Sequence, residues 1–224
     1  MSDKYIPHIY GNLRQHMVTV PKIIDRASGI SIFGKLIKSL VFTTDVAILR
    51  NCNANAAIAV YPFTPQPLIS HALIIAADLP VFCGVGGGTT TGARVVSLAC
   101  DAEFQGAIGV VVNAPTKNEV IREIREKIDI PIIVTVVSEN TDFKARLDAG
   151  TSILNVSAAA NTPELVRKIR KEFPEVPIIA TGGPTDDFIE KTIDAGANAI
   201  TYTPPTTAEI FKNMMVKYRD HENK

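Results

Sequence analysis

The sequence lacks an excess of charge of either sign, a long apolar run and a framework of cysteines. Its 23 basic and 23 acidic side chains balance, so nothing in the charge indicates nucleic acid or an anionic membrane surface as a partner. It has no run of roughly eighteen apolar residues, and its first residues lack the charged-then-apolar layout of a signal peptide. We therefore expect a cytoplasmic protein with neither nucleic acid nor a membrane as its partner.

The scarcity of cysteine also limits the metal chemistry. Cys52, Cys83 and Cys100 are odd in number, lie far apart and form no C-x-x-C pair, which argues against a disulfide framework and against structural zinc. The four histidines do not group on the expected strands. We expect no metal site, and a magnesium ion shared by Asp45 and Glu139 is the open alternative.

Two short patterns alternate along the chain. The first is a proline followed by a short apolar run, which is typical of a buried strand; it occurs in LPVFCG (79–84), IPIIVT (130–135) and VPIIAT (176–181). The second ends a helix at a glycine and enters another strand; it occurs in EFQGAIGVVV (103–112), LDAGTSILNV (147–156) and IDAGANAITY (193–202). With SLVFTT (39–44) and AAIAVY (56–61), these patterns predict eight strands.

Buried strands that alternate with amphipathic helices, such as NEVIREIREKI (118–128), imply a parallel sheet covered by helices. Eight units predict an α/β protein with a closed (β/α)8 TIM barrel over residues 37–224. Residues 1–36 are expected to form an N-terminal extension, with a short helix around 15–28 that covers the bottom of the barrel. An open doubly wound sheet is the alternative, but GVGGGTTTG (84–92) does not match a dinucleotide loop and follows the third strand instead of the first.

In such a barrel the ligand site lies at the carboxyl ends of the strands. After the third strand, Gly86, Gly87, Gly88 and Thr89 can wrap an anionic or polar ligand with their N–H groups, and Thr90 or Thr91 is the expected cap of the next helix. A plain turn is the alternative. The further candidates are polar and uncharged: Asn113, Asn155, Ser157 and Thr181.

The segment ATGGPTDDFIEKTIDAGANAI (180–200) leads from a strand through Thr-Gly-Gly into a helix. It resembles the last two units of the ribulose-phosphate-binding (β/α)8 barrel superfamily, mainly over residues 130–202. The resemblance implies that the N–H groups of Gly182 and Gly183 bind a phosphate, and a helix N-terminus favours an anion. A tight turn is the alternative. After the eighth strand Pro204 and Pro205 depart from the family pattern, and Thr206 is the expected replacement donor.

Three side chains are candidates for catalysis. Asp45 and Glu139 directly follow strands and could act as general acid or base, with a favourable interaction with a helix dipole as the alternative for each. Lys117 follows the fourth strand and could reach inward. Because no lysine lies within strands two to eight, a Schiff-base aldolase is disfavoured.

These observations predict an enzyme with lyase- or isomerase-type chemistry on a small phosphorylated or anionic metabolite. Two alternatives stay open: a non-catalytic barrel that senses a phosphometabolite, and an FMN-binding barrel with Tyr61 and Asn113 against the flavin. The helix PLISHALIIAAD (67–78) is apolar on nearly every side, and we expect it to be buried, with His71, against the barrel or a partner subunit. Because one buried face needs fewer apolar residues, we expect a homo-oligomer through this helix.

Overall fold

The computed structural model describes residues 5–9, 11–12 and 16–222. Within them, eight parallel strands close into a barrel in the order β10-β3-β4-β5-β6-β7-β8-β9. The strands are β3 (Ser39–Phe42), β4 (Ala56–Ala59), β5 (Val81–Gly86), β6 (Gly109–Val112), β7 (Ile132–Val136), β8 (Ile153–Val156), β9 (Ile178–Thr181) and β10 (Ala199–Tyr202). The last strand pairs with the first, so the predicted (β/α)8 barrel is confirmed and the open sheet is wrong.

A helix follows every barrel strand. The helices are α1 (Val46–Arg50), α2 (Pro67–Ala76), α3 (Ala93–Phe104), α4 (Asn118–Arg125), α5 (Phe143–Asp148), α6 (Thr162–Glu172), α7 (Asp186–Asp194) and α8 (Thr207–Glu222). In α4, Val120, Ile121 and Ile124 recur at helical spacing and are buried in the core cluster outside the barrel. None of the helices among the described residues is long and apolar enough to cross a membrane.

The segment before the barrel differs from the expected helix around 15–28. The structure has a 3-10 helix at Lys22–Arg26 and an antiparallel hairpin of β1 (Ile30–Ile32) and β2 (Lys35–Ile37), while residue 15 lies outside the described part. The hairpin turns at Phe33 and Gly34, which both have positive φ as a tight two-residue turn requires. Ile32 and Ile37 belong to the same buried cluster as the barrel interior, so the hairpin packs against the barrel.

The repeated prolines enter the strands as expected. Pro80, Pro131 and Pro177 each come immediately before a strand, where a missing N–H disturbs no ladder. Their carbonyls still contribute to the sheet, because they accept hydrogen bonds from the N–H groups of Ala57, Val110 and Leu154 at 2.8, 3.0 and 3.0 Å. Proline therefore marks the amino end of these strands without weakening the sheet.

The repeated glycines end helices. Gly106, Gly150 and Gly196 follow α3, α5 and α7 and have φ of 92°, 105° and 110°, the left-handed conformation of a helix C-terminus. Two of them also lie under an arginine: a Cβ would be 2.8 Å from Arg125 at Gly150 and 2.9 Å from Arg170 at Gly196. Any side chain at these two positions would displace the arginine above it.

Alternation along each strand divides the barrel into an inner and an outer face. One buried cluster contains a residue of every barrel strand and is the barrel interior; its strand members include Leu40, Ile58, Phe82, Val111, Ile133, Ile153, Ile179 and Ala199. The intervening residues pack against the helices. The residue two positions after each interior residue therefore faces the mouth at the carboxyl ends of the strands.

Arg170 of α6 ties together the amino end of the barrel. Its guanidinium donates hydrogen bonds to the carbonyls of Pro174, Val176 and Gly196 at 2.6, 2.9 and 2.9 Å, and to Asn198 Oδ1 at 2.7 Å. Burial lowers the pKa of this group below its ordinary value. Removal of the guanidinium would leave four acceptors without their charged donor.

We predict that Arg170→Met lowers the free energy of unfolding by about 3 kcal/mol, because several partners of one charged donor are lost together. Urea unfolding measures the change. Arg167→Met in the same helix is the control, since Arg167 is exposed and, among the described residues, is paired only with Glu164; it should change stability by less than about 0.5 kcal/mol. Equal effects of the two substitutions would contradict the role of Arg170.

Candidate functional site

The mouth of the barrel has an apolar side and a polar side. Counting two residues on from the interior of each strand gives, in chain order, Phe42, Val60, Gly84, Asn113, Thr135, Asn155, Thr181 and Thr201. The first three strands thus contribute no polar side chain, and the next five contribute only amides and hydroxyls. None of the eight side chains is ionisable.

Two oxygen atoms on the polar side have no partner. Asn155 Nδ2 donates to Thr135 Oγ1 at 3.1 Å, but Asn155 Oδ1 is buried and receives no hydrogen bond from the described residues. Thr201 is 6% exposed, and its hydroxyl is likewise unpartnered. A buried polar atom without a partner costs about 1–3 kcal/mol, so these two oxygens are energetically unfavourable as they stand.

Sequence reasoning found only part of this polar side. Asn113, Asn155 and Thr181 were candidates, whereas Thr135 and Thr201 were missed. Strict alternation from the apolar residues of their own strands would have identified both. Ser157 lies just beyond β8, half-buried, and its N–H donates to the carbonyl of Val136 at 2.9 Å.

The glycine stretch forms a tight turn at the end of β5. The N–H of Gly87 donates to the carbonyl of Thr90 at 3.1 Å, and the N–H of Asn113 donates to the carbonyl of Gly86 at 2.9 Å. Gly87 has a φ of 100°, and a Cβ there would lie 2.7 Å from the Asn113 nitrogen. Glycine is required at this position by both the conformation and the close approach of β6. A Cβ at Gly88 would meet nothing within 4 Å.

This turn borders a cavity of about 250 Å3. The loop after β4 forms the opposite wall, and residues of the mouth form the inner end; the lining residues are Val60, Tyr61, Pro62, Phe63, Pro65, Gly84, Gly86, Gly87, Gly88, Thr89, Thr90, Val111 and Asn113. The cavity therefore brings together Asn113 and all four residues expected in the glycine loop. Because Val60, Gly84 and Asn113 also face the mouth, the cavity is continuous with it.

The helix after the glycine stretch is capped differently from the expectation. Its N-cap is Gly92, with a φ of 61° and no side-chain cap, so neither Thr90 nor Thr91 caps it. Thr90 is instead 5% exposed, and its carbonyl closes the glycine turn. The first turn of α3 carries no acidic residue and has the exposed Arg94. This N-terminus is therefore electrostatically open to an anion.

The Gly182–Gly183 turn has fewer free donors than its sequence suggests. The N–H of Gly182 donates to the carbonyl of Thr201 at 3.0 Å, and Pro184 has no N–H. Gly183 has a φ of 71°, so glycine serves the turn itself. The first turn of the following α7 carries Asp186 and Asp187, whose negative charges oppose the binding of an anion there.

Thr206, the expected replacement donor, is already hydrogen-bonded to a carboxylate. Its N–H and its hydroxyl both donate to Glu209 Oε2 at 2.8 Å, and the N–H of Glu209 lies 3.2 Å from Thr206 Oγ1. This reciprocal arrangement is a capping box at the start of α8. The N–H and hydroxyl of Thr206 lower the pKa of Glu209, so the carboxylate stays ionised where a phosphate was expected.

Asp45 caps α1. Its carboxylate accepts the N–H groups of Ala47 and Ile48 at 2.8 and 3.3 Å, together with the hydroxyl of Thr207. Burial raises the pKa of Asp45, but the hydrogen bonds from Thr207, Ile48 and Ala47 outweigh that effect and lower it below the ordinary 3.8. The structure thus gives Asp45 a structural partner at each of its oxygens.

Glu139 lies in the loop after β7 and pairs with Lys168 of α6 at 3.3 Å. It does not start α5, whose N-cap is Asp142. Since β3 and β7 lie on opposite sides of the barrel and the two carboxylates have separate partners, the structure gives no support to a magnesium ion shared by Asp45 and Glu139. Over the described residues, no three His, Cys, Asp or Glu side chains group in a way that could hold a metal.

Lys117 is the third catalytic candidate. It occupies the N-cap position of α4, in the loop that follows β6, and its side chain is exposed. In the part of the chain that the structure describes, its ammonium has no hydrogen bond or ion pair. Arg146 anchors this loop by donating to the carbonyls of Ala114, at 2.7 Å, and Thr116, and to Asn118 Oδ1 at 2.9 Å. Lys117 is therefore free on a fixed loop beside the mouth.

Several solved structures are similar to this chain at low sequence identity. A proposed phosphonomutase from Burkholderia cenocepacia J2315 has a TM-score of 0.63 and 16% identity over 82% of this chain and 92% of that chain. A 2,3-dimethylmalate lyase of the PEP mutase/isocitrate lyase superfamily has a TM-score of 0.60 and 13% identity, over 90% of this chain and 84% of that chain. Inosine 5′-monophosphate dehydrogenase from Legionella pneumophila has a TM-score of 0.61 and 14% identity, over 79% of this chain and 62% of that chain.

No family model matches the chain, and no curated protein matches its sequence. At identities this low, the structural similarity shows the barrel fold alone. The lyase belongs to a superfamily other than the ribulose-phosphate-binding one, so the resemblance seen in residues 130–202 is supported only as far as the barrel.

We predict that Asp45→Ala lowers the free energy of unfolding by about 1 kcal/mol at pH 7, because α1 loses its N-cap. The folded-state pKa of Asp45 lies below its unfolded value, so this contribution is present above the unfolded pKa and is lost as the pH falls through the folded pKa. The difference in the free energy of unfolding between the parent and the variant, measured by urea unfolding, should therefore become smaller below about pH 4.

Asp45→Asn is the matched control. Asparagine is also a good N-cap, so this variant should keep most of the stability at pH 7. A difference between the parent and Asp45→Ala that is the same at pH 7 and pH 3 would show that the carboxylate charge does not stabilise the cap.

Proposed function

We propose that this chain acts on a small anionic metabolite, with lyase- or isomerase-type chemistry, in the mouth of the barrel. The observation that carries the proposal is a glycine-lined cavity that opens into a mouth whose polar side holds the unpartnered oxygens of Asn155 and Thr201. The names of two similar barrels, a phosphonomutase and a 2,3-dimethylmalate lyase, support the same class of chemistry.

The anionic group of the metabolite binds at the glycine loop. Arg94 and the N-terminus of α3, which has no acidic residue in its first turn, provide positive potential there. The Gly182–Gly183 turn is the competing location, and it is the one that the resemblance to the ribulose-phosphate-binding superfamily suggests. We place the anion at the glycine loop because Asp186 and Asp187 already occupy the first turn of α7.

Lys117 is the residue to which we assign proton transfer. Of the three catalytic candidates, Asp45 caps a helix and Glu139 pairs with Lys168, whereas Lys117 has no partner among the described residues. In this proposal the amide of Asn155 and the hydroxyl of Thr201 hold the reacting end of the metabolite by hydrogen bonds, a role that their unpartnered oxygens support. A turnover assay on Lys117→Met against the parent, with unchanged binding, tests this role.

A phosphometabolite-sensing barrel is the second candidate. One observation favours it: none of the eight mouth residues can gain or lose a proton near pH 7. Binding of anionic ligands without turnover of any of them would support sensing over catalysis.

An FMN-binding barrel fits less well. Tyr61 and Asn113 line one cavity, as that alternative requires, but the cavity alone, at about 250 Å3, is below the roughly 300–1,000 Å3 typical of sites for drug-sized ligands, so a flavin would have to extend into the mouth. We therefore derive no flavin chemistry for this chain. An absorption spectrum of the purified protein tests the point.

The glycine-loop proposal predicts that Thr89→Asp weakens the binding of inorganic phosphate and of phosphorylated ligands at least tenfold. The new carboxylate would lie in the cavity lining and repel the bound anion. Isothermal titration calorimetry at low salt measures the effect, since screening reduces it at high salt. Thr89→Asn, similar in shape but neutral, is the control and should change affinity less than threefold.

Asp186→Asn tests the competing location. If the anion binds at the Gly182–Gly183 turn, this variant should bind more tightly than the parent and Thr89→Asp should bind normally. That combination of results would contradict the location of the anion at the glycine loop and support the Gly182–Gly183 turn.

We also propose that the chain self-associates through α2. Leu68 and Ile75 are 76% and 69% exposed, and α2 carries no acidic or basic side chain besides His71. Ser70 and Leu73 face the barrel and His71 is exposed, so the barrel does not bury His71, and its burial against a partner subunit is part of this proposal. An exposed apolar helix face of this kind is typical of an interface.

Ile75→Lys should convert the oligomer to a monomer in sedimentation analysis, because a charge would be buried in the interface. Phe211→Lys is the control: Phe211 is 64% exposed but lies on α8, so its substitution should leave the mass unchanged. A parent protein that is monomeric at all concentrations would exclude the interface.

A further inference from the structure

We infer that Thr135, Asn155 and Thr201 form a specificity subsite that accepts an uncharged hydrogen-bond donor of the ligand, a hydroxyl or an amide N–H, and rejects a carboxylate. The inference rests on the proposed function and extends it, because it states what chemical group lies at the end of the metabolite opposite its anion. We call these three residues the donor subsite.

The hydrogen-bonding pattern fixes what the donor subsite lacks. Asn155 Nδ2 is already committed to Thr135 Oγ1, so the unpartnered Asn155 Oδ1 can only accept. A ligand atom that satisfies it must carry a hydrogen. The hydroxyl of Thr201 can donate or accept, so a ligand hydroxyl can pair with either residue, whereas a carboxylate cannot donate to Asn155.

The absence of charge in the mouth excludes an ionised group at the same place. The eight mouth side chains hold no cation, and Thr201 is only 6% exposed, so a charge beside its hydroxyl would have no counter-charge and little contact with water. Moving an ion from water into such surroundings without a counter-charge costs far more free energy than moving a neutral polar group. The donor subsite therefore selects by charge as well as by hydrogen bonding.

The apolar side of the mouth completes the arrangement. Phe42 and Val60 lie on the apolar side of the mouth and offer a surface for the carbon skeleton of the ligand. Gly84 and Asn113 connect this space to the glycine-loop cavity. A ligand that spans the two places has its anion at the rim and its neutral donor inside the barrel.

Three small ligands test separately how a hydroxyl and a carboxylate affect binding at the donor subsite. Glycerol 3-phosphate carries two hydroxyls, propyl phosphate has the same carbon chain without them, and 3-phosphonopropionate ends in a carboxylate. The parent protein should bind glycerol 3-phosphate at least tenfold more tightly than either of the others in calorimetry. Because a site that hydrogen-bonds a hydroxyl discriminates strongly against an analogue without it, this preference reports on the donor subsite.

Thr201→Val and Asn155→Leu should each remove that preference while leaving the affinity for propyl phosphate unchanged. Thr201→Val should also raise the Tm of the ligand-free protein, because it removes a buried hydroxyl that has no partner. Thr192→Val is the matched control: Thr192 is fully buried, but its hydroxyl donates to the carbonyl of Phe188 at 2.8 Å, so this variant should lower the Tm and keep the preference.

The outcomes are distinguishable. If the parent binds the three probes equally and Thr89→Asp weakens all of them, the donor subsite is refuted and the proposed function stands. If the parent binds none of them, nor inorganic phosphate, the proposed function fails and the inference fails with it. If Thr201→Val lowers the Tm as much as Thr192→Val does, the hydroxyl of Thr201 has a structural partner and the inference is overturned.

Discussion

The pairing of β10 with β3 is the constraint on which the rest of the structure depends. Ile200 lies opposite Ser39, and its N–H donates to the carbonyl of Lys38 at 2.9 Å. Asn55 supports the same junction, because its Oδ1 accepts the N–H groups of Lys38 and Ser39 at 2.9 and 3.1 Å. Once this seam is closed, every strand has a defined inner face, and the side chains that meet in the mouth are determined by alternation alone.

The distribution of charge follows from that closure. Ionic side chains lie on the outer helices and on the loops, where water or a partner stabilises them, and the interior receives only apolar and neutral polar groups. A ligand with one ionic end and one neutral end matches this division. The proposed location of the anion at the glycine loop and the proposed donor subsite are two consequences of the same separation.

The fold could be predicted from the sequence because its determinants are local. Prolines before strands, glycines after helices and the apolar periodicity of each segment require no knowledge of distant residues, and together they specified the barrel. The hairpin at 30–37 was missed although its alternation and its Phe33–Gly34 turn are also local. The capping box formed by Thr206 and Glu209 could also have been predicted, because the sequence there has the T-x-x-E pattern.

The site was harder to predict because its determinants are long-range. The N–H of Gly182 is used by Thr201, and Glu139 is paired with Lys168; neither partner can be inferred from the flanking residues. The same applies to the two unpartnered oxygens, which become evident only when all the neighbours of Asn155 and Thr201 are known. Residue type identified candidates, and tertiary contacts decided which of them were free.

The arginines that lie over Gly150 and Gly196 link neighbouring helices. Arg125 and Arg170 each lie in the last turn of one helix and above the glycine that ends the next helix, and the two pairs are separated by about 45 residues. Each segment of two strands and two helices therefore contains both the arginine and the glycine of its own pair. The pair joins the two helices inside one segment, and the junction between successive segments depends on other residues.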